Sequence, residues 1–172
     1  LALLNELARI ATQDLELWPM LQRITDTLSA RLGAELVSLV RIDRGAGRFV
    51  CDAVTSSLPT EVKVGYSREL GSGVVGQVAE SGKALLLDDV TAFPGYVETL
   101  SGVASELCLP IRHRDEVVAL LNLESVRPAA FRGLLPLVSA VAEQVSGAIA
   151  SARLYEETRR RAEINPLRVL DD

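Results

Sequence analysis

The hydrophobic spacing of this chain changes period twice, and that change limits the fold more than any other feature. Leu1, Leu4, Ala8 and Ala11 follow helical spacing, and so do Leu17, Leu21, Ile24 and Leu28. Asp14 is suited to cap between these two helical pieces. Pro19 puts the second start near Glu16 to Trp18, because proline suits only a first turn, and Gly33 closes that helix. From Leu36 to Asp43 the apolar period falls to two, which predicts a strand. Gly45-Ala46-Gly47 turns the chain into a returning strand, Arg48 to Thr55, with Phe49, Cys51 and Ala53 on one face. Ser56 to Leu70 is polar and irregular, Val74 to Ser81 reads as a short helix, and Ala84 to Leu87 as a short strand. After a loop from Thr91 to Gly102, Ala104 to Ile111 and Glu116 to Ser125 are two strands joined by a charged tip, Arg112 to Asp115. The helical period returns near Leu134 and ends before Pro166. Helices at both ends of a run of strands, without βαβ alternation, predict an α+β domain. An antiparallel sheet would be covered on one face by the terminal helices.

The 172 residues suffice for one domain with its own core. A net charge of −5 excludes an overall basic footprint for nucleic acid. The longest charge-free runs, Leu70 to Ala79 and Gly133 to Ala142, fall short of the ~20 residues that cross a bilayer, so no membrane role is expected. No charged-then-apolar leader is visible. Cys51 and Cys108 are far apart and outside any C-x-x-C spacing, which points to a reducing, cytoplasmic setting. His113 is the single histidine, so no His-based metal site or cofactor is expected.

Gly71-Ser72-Gly73-Val74-Val75-Gly76 matches G-x-G-x-x-G, the dinucleotide fingerprint. That chemistry needs a buried strand immediately before the glycines, and Ser67-Arg68-Glu69-Leu70 is polar. The glycines are therefore expected to form a tight turn into a short helix. Alternation puts Glu106 and Cys108 on one face of one strand, and Asn122 and Glu124 on one face of the next. The loop before them carries Asp89, Phe93 and Tyr96. These seven residues are the candidate ligand-binding set. Several acids and no basic residue in the set favour an amine-bearing or neutral ligand over a phosphate. No spacing fixes a catalytic pair, and no catalytic or metal-ligating residue is assigned.

The ordered series Gly71-x-Gly73-Val74-Val75-Gly76-x-Val78-Ala79-x-x-Gly82, Asp88-Asp89-Val90 and Ser105-Glu106-Leu107-Cys108-Leu109-Pro110-Ile111 resembles a GAF domain. Val118 to Ser125, Phe131 and Ala148 to Leu154 continue the likeness. The resemblance implies a six-stranded antiparallel sheet, with the N- and C-terminal helices packed on one face and a ligand pocket on the other. It also implies a regulatory role within larger signalling proteins. Asp89 to Tyr96 is similar to the branch that reduces free methionine sulfoxide, and Glu106, Asn122 and Glu124 fall where that branch binds its substrate. Its cysteines, however, are replaced by Val75 and Thr99, and threonine cannot run disulfide exchange. Against the cyclic-nucleotide branch, Asn122 and Phe131 match, while Leu123 and Leu135-Pro136 do not. The bilin branch needs a loop cysteine, absent from Thr91 to Gly102.

The expectations are then a sensory domain over residues 1–155, with a signalling helix at 1–13 and a core at 16–155, followed by a helix and linker over 156–172. Asn165 to Asp172 faintly resembles the opening of a diguanylate cyclase domain, and a histidine kinase would serve equally as the output. The chain is expected to be a non-enzymatic small-molecule sensor of a bacterial cytoplasmic signalling protein. A methionine-(R)-sulfoxide reductase-like enzyme and a ligand-free dimerisation module are the alternatives. A seam at Leu137, Val141, Val145, Ala148, Ala152 and Tyr155, extended by Val138, Ile149 and Leu154, predicts a parallel homodimer through the first and last helices.

Overall fold

The computed structural model describes residues 2–13 and 16–164. Helices α1 (Ala2–Gln13) and α2 (Leu17–Leu32) lead into strands β1 (Leu36–Asp43), β2 (Arg48–Ser56) and β3 (Ser67–Glu69). Helix α3 (Gly73–Ser81), strand β4 (Leu85–Leu87) and a 3-10 turn (Val90–Ala92) come next. Strands β5 (Ser105–His113) and β6 (Glu116–Ser125) and the long helix α4 (Leu135–Ile164) complete the chain. The six strands form one antiparallel sheet in the order β3-β2-β1-β6-β5-β4.

Sequence-level punctuation explains most boundaries. Gly33 takes the left-handed conformation that ends α2, with its N–H donating to the Ser29 carbonyl. The β5–β6 hairpin closes with Arg114 and Asp115, both at positive φ, between paired His113 and Glu116. That two-residue turn has the hand that matches strand twist, and it sets the pairing up to Arg112 and Val117, beyond which a bulge shifts the register by one residue. The tip is thus shorter than Arg112 to Asp115, and His113 belongs to β5.

The sheet separates two apolar layers. Leu107, Leu109 and Ile111 of β5 and Ala119, Leu121 and Leu123 of β6 face α2 and α4. The other face carries Val40, Phe49, Cys108 and Leu120 beneath α3. Strand β2 crosses between these layers at a bulge. Leu39 pairs with Ala53 and Val40 with Cys51, which leaves Asp52 as the extra residue. Ala53 consequently joins the helix-side core, whereas Phe49 and Cys51 face the other way. The simple alternation that put all three on one face fails there.

One further expectation is corrected. The stretch read as irregular, Ser56 to Leu70, contains the edge strand β3. Half of the expected α4 seam, Val141, Val145 and Ala152, is used inside the domain, whereas Tyr155 stays exposed. Val138, Val141, Val145 and Ile149 are buried against the sheet and α1, and Ala152 with them, while Leu7 and Ile10 of α1 are covered in turn. By length and composition α4 would span a membrane, but this burial makes its apolar stripe part of the core. Exposed apolar side chains remain on its outer part at Leu154, Tyr155 and Ile164. The expected Asp14 cap and the Asn165–Asp172 segment lie outside the described residues.

Candidate functional site

On the face opposite α2 and α4, the sheet, α3 and the 97–99 loop enclose a cavity of ≈ 30 Å³, room for about two waters. Glu106 and Glu124 stand directly opposite each other on β5 and β6, as do Cys108 and Asn122. Glu106, Asn122 and Glu124 all line the cavity, and each is only 3% exposed. Two like charges directly across an antiparallel pair repel. Burial, and then the charge of Glu124, hold the Glu106 carboxyl well above the usual carboxylate range. Burial raises Glu124 to about 7 although Arg68 pulls it down. The pair therefore presents both a carboxylic acid and a carboxylate near neutral pH.

Arg68 is the cation that the sequence set lacked. It projects from β3 into the cavity wall, with its guanidinium 5.4 Å from the Phe49 ring centroid and 5.9 Å from that of Tyr66. Such contacts stabilise a desolvated arginine without neutralising it. Its Nη2 donates to the Ser72 carbonyl at 3.2 Å, whereas buried Nε and Nη1 have no partner. Asn122 Oδ1 and the Tyr96 hydroxyl are also buried and unpartnered. Tyr96 lies near enough to Glu124 and Glu106 that, after burial, their charges push its hydroxyl pKa further up. Buried polar atoms are normally satisfied, so this concentration marks a place where a ligand or water completes the bonding.

The glycine-rich segment finds its purpose here. Gly73 sits at φ +66, and a Cβ on it would lie 2.7 Å from Arg68 Nη2. Gly76 has no such strain, but its Cβ would meet the Gly71 backbone at 3.0 Å. The glycines thus fold the loop onto itself and seat a guanidinium, as the tight-turn reading implies. Replacing Gly73 by alanine should destabilise the domain by about 1–3 kcal/mol through left-handed strain alone, and also displace Arg68. Urea unfolding would read the first effect. A stability change near zero would mean that the loop relaxes around the methyl group.

The remaining candidates divide. Cys108 is fully buried beside Glu106 on the same face of β5, outside the cavity lining, in the layer that Phe93 and Tyr96 cover as half-buried side chains. Phe93 is part of that apolar cover, not of the cavity lining. Asp89 does not join the site. It is exposed and caps the 3-10 turn, accepting hydrogen bonds from the Thr91 N–H at 2.9 Å and hydroxyl at 2.6 Å. Val75, Thr99 and Cys51 line the cavity. Burial, then the charge of Asp52, push the Cys51 thiol up to about 12, far from the thiolate that exchange chemistry needs. Phe131 is 1% exposed in the helix-side core, away from the cavity.

A family model described as "GAF domain" matches residues 19–150. The chain belongs to the GAF domain family. Among curated relatives, protein YtsP of Bacillus subtilis is 35% identical over 68 residues, covering 40% of this chain and 39% of that protein. The chain thus spans about two-fifths of that relative's length. Among solved structures, the GAF domain of an Acinetobacter phosphoenolpyruvate-protein phosphotransferase superposes with a TM-score of 0.78 at 19% identity, covering 91% of this chain and 96% of that one. The free methionine-R-sulfoxide reductase of Neisseria meningitidis, solved with its substrate, gives 0.79 at 19% identity and 89% coverage of both chains. At such identity these likenesses speak for the fold and not for a shared activity.

Proposed function

We propose that this GAF domain is a non-enzymatic sensor. It binds a compact polar ligand between the sheet and α3, and it passes the bound state to an output domain through its terminal helices. One observation carries the reading. Buried, unpartnered polar atoms of Arg68 and Asn122 line one cavity with the raised Glu106–Glu124 pair, and the unpartnered Tyr96 hydroxyl lies near that pair outside the lining. An amine suits the acid pair, and an acceptor group suits the free Arg68 nitrogens, so a ligand carrying both fits better than a phosphate. The output domain belongs to a cytoplasmic bacterial signalling protein of the diguanylate cyclase or histidine kinase kind. The exposed Leu154, Tyr155 and Ile164 of α4 support a parallel homodimer, which sedimentation at micromolar concentration checks.

The test is a thermal-shift screen of small amines, amides and amine-bearing acids. A binder should raise Tm saturably, and Arg68→Met should weaken it. If every compound leaves Tm unchanged, the sensor reading loses to a ligand-free dimerisation module. The reductase alternative draws on Cys51 at the cavity wall. With Val75 and Thr99 in place of thiols, the domain should show no thiol-dependent reduction of free methionine sulfoxide above background. Turnover that disappears in Cys51→Ser would overturn the non-enzymatic assignment.

A further inference from the structure

The β2 bulge gives one short segment two faces. Cys51 lines the cavity, while Asp52, its neighbour, is 5% exposed and forms ion pairs with Arg41 and with Arg153 of α4. Asp52 Oδ1 accepts from Arg41 Nε at 3.0 Å, and Oδ2 accepts from Arg153 Nη2 at 3.3 Å. Arg41 directly succeeds Val40, which also lines the cavity. Both sheet residues of this triad are therefore backbone neighbours of cavity residues.

The helix end of the triad is placed just as tellingly. Arg153 comes directly after Ala152, the last buried residue of α4; beyond it the helix is mostly exposed. Beside the triad lies a groove of about 420 Å³, walled in part by Trp18, Glu156 and Glu157. Glu156 and Glu157 are three and four residues beyond Arg153 on α4, within reach of its side chain along the helix surface. In this structure Arg153 sits on Asp52; if released, it would meet Glu156 in the groove, where Arg160 also lies and where Glu157 is already paired with Arg161 at 3.3 Å. A buried carboxylate stripped of a partner is costly, so Asp52 cannot move far without Arg153 moving with it or letting go.

We propose that the Asp52–Arg153 bridge is the coupling by which filling of the cavity is felt at the exit of α4. The inference rests on the ligand-sensing reading for its biological use, but its test needs no ligand. A change in cavity volume shifts β2 at Cys51, the bulge carries the shift to Asp52, and Arg153 either stays on Asp52 or lets go toward Glu156. Such a two-position element is what a claim of coupling requires.

Val75→Leu supplies the stimulus, because it adds one methylene to the cavity wall on α3, away from the bridge. Trp18 is the single tryptophan of the chain and shares the groove with Asp52 and Arg153, so its emission and acrylamide quenching report directly. Amide exchange over Ala150 to Thr158 reports on the helix. In the full chain, Val75→Leu should alter Trp18 quenching and change exchange over that segment about threefold, within the range by which intermediate residues modulate coupling. In Arg153→Met, where Asp52 keeps Arg41, both responses should be lost while far-UV circular dichroism stays native. Arg153→Lys should restore part of them. Equal responses in the Arg153→Met background, or none in the otherwise native chain, would overturn the proposal. A chain that binds nothing in the Tm screen yet shows this coupling would fail as a ligand sensor only.

Discussion

Truncating Phe131 to alanine should lower the unfolding free energy by about 3–5 kcal/mol, the usual cost of emptying a large core site. Phe131 is among the largest fully buried side chains, at 1% exposure in the core under α2 and α4. The loss is a large share of a typical domain stability of roughly 5–15 kcal/mol. Chemical denaturation reads it as a lower midpoint at unchanged slope. The measurement also separates two roles for one residue. A ligand-contacting phenylalanine, as a cyclic-nucleotide signature would have it, would cost binding and spare stability. A change below about 1 kcal/mol, the ordinary surface range, would contradict the core placement.

The second large effect concerns pH. Glu124 ionises near 4.5 in the unfolded chain and about 7 in the folded one, and Glu106 is shifted upward with it by burial and mutual repulsion. Between those values the folded state holds protons that the unfolded state has released. Stability is therefore full below the unfolded value and falls as pH rises through the folded value. Unfolding midpoints should decline from about pH 4.5 to about pH 7. Asp52, raised chiefly by burial against the pull of Arg41 and Arg153, adds to the same slope. Glu124→Gln removes one member of the repelling pair, so it should flatten the decline. If midpoints rise over that interval, or if the variant keeps the full slope, the two carboxyls are not the buried, repelling pair described.

The acid pair was legible in the sequence because strand alternation is reliable wherever one face is buried. Glu106 with Cys108, and Asn122 with Glu124, followed from alternation; the register that sets Glu106 opposite Glu124 comes from the turn at Arg114-Asp115 together with a bulge that leaves Val118 unpaired, and the bulge was not legible. Arg68 was not legible. A three-residue strand is too short to show a period, and Ser67-Arg68-Glu69 is polar throughout. Asp52 was hidden for another reason: the bulge adds a residue, so the count that orients Phe49 and Cys51 misorients Ala53 and the rest of β2. Asp89 shows the opposite failure. An acid next to a loop looked like a ligand contact, but the hydrogen bonds that employ it are local ones to Thr91. The α4 seam was legible as apolar but not as core or interface, because buried helices and coiled-coil helices repeat at nearly the same spacing. The partner that covers Val141 and Val145 is the domain's own core.

The sheet ends on both sides in strands of three residues, Ser67–Glu69 and Leu85–Leu87. Each margin therefore offers only a few free backbone groups to an incoming strand. Strand addition and fibre growth need a longer template, so a short margin at both ends is protection against self-templating. An extended peptide from another chain likewise finds little ladder to join at either margin.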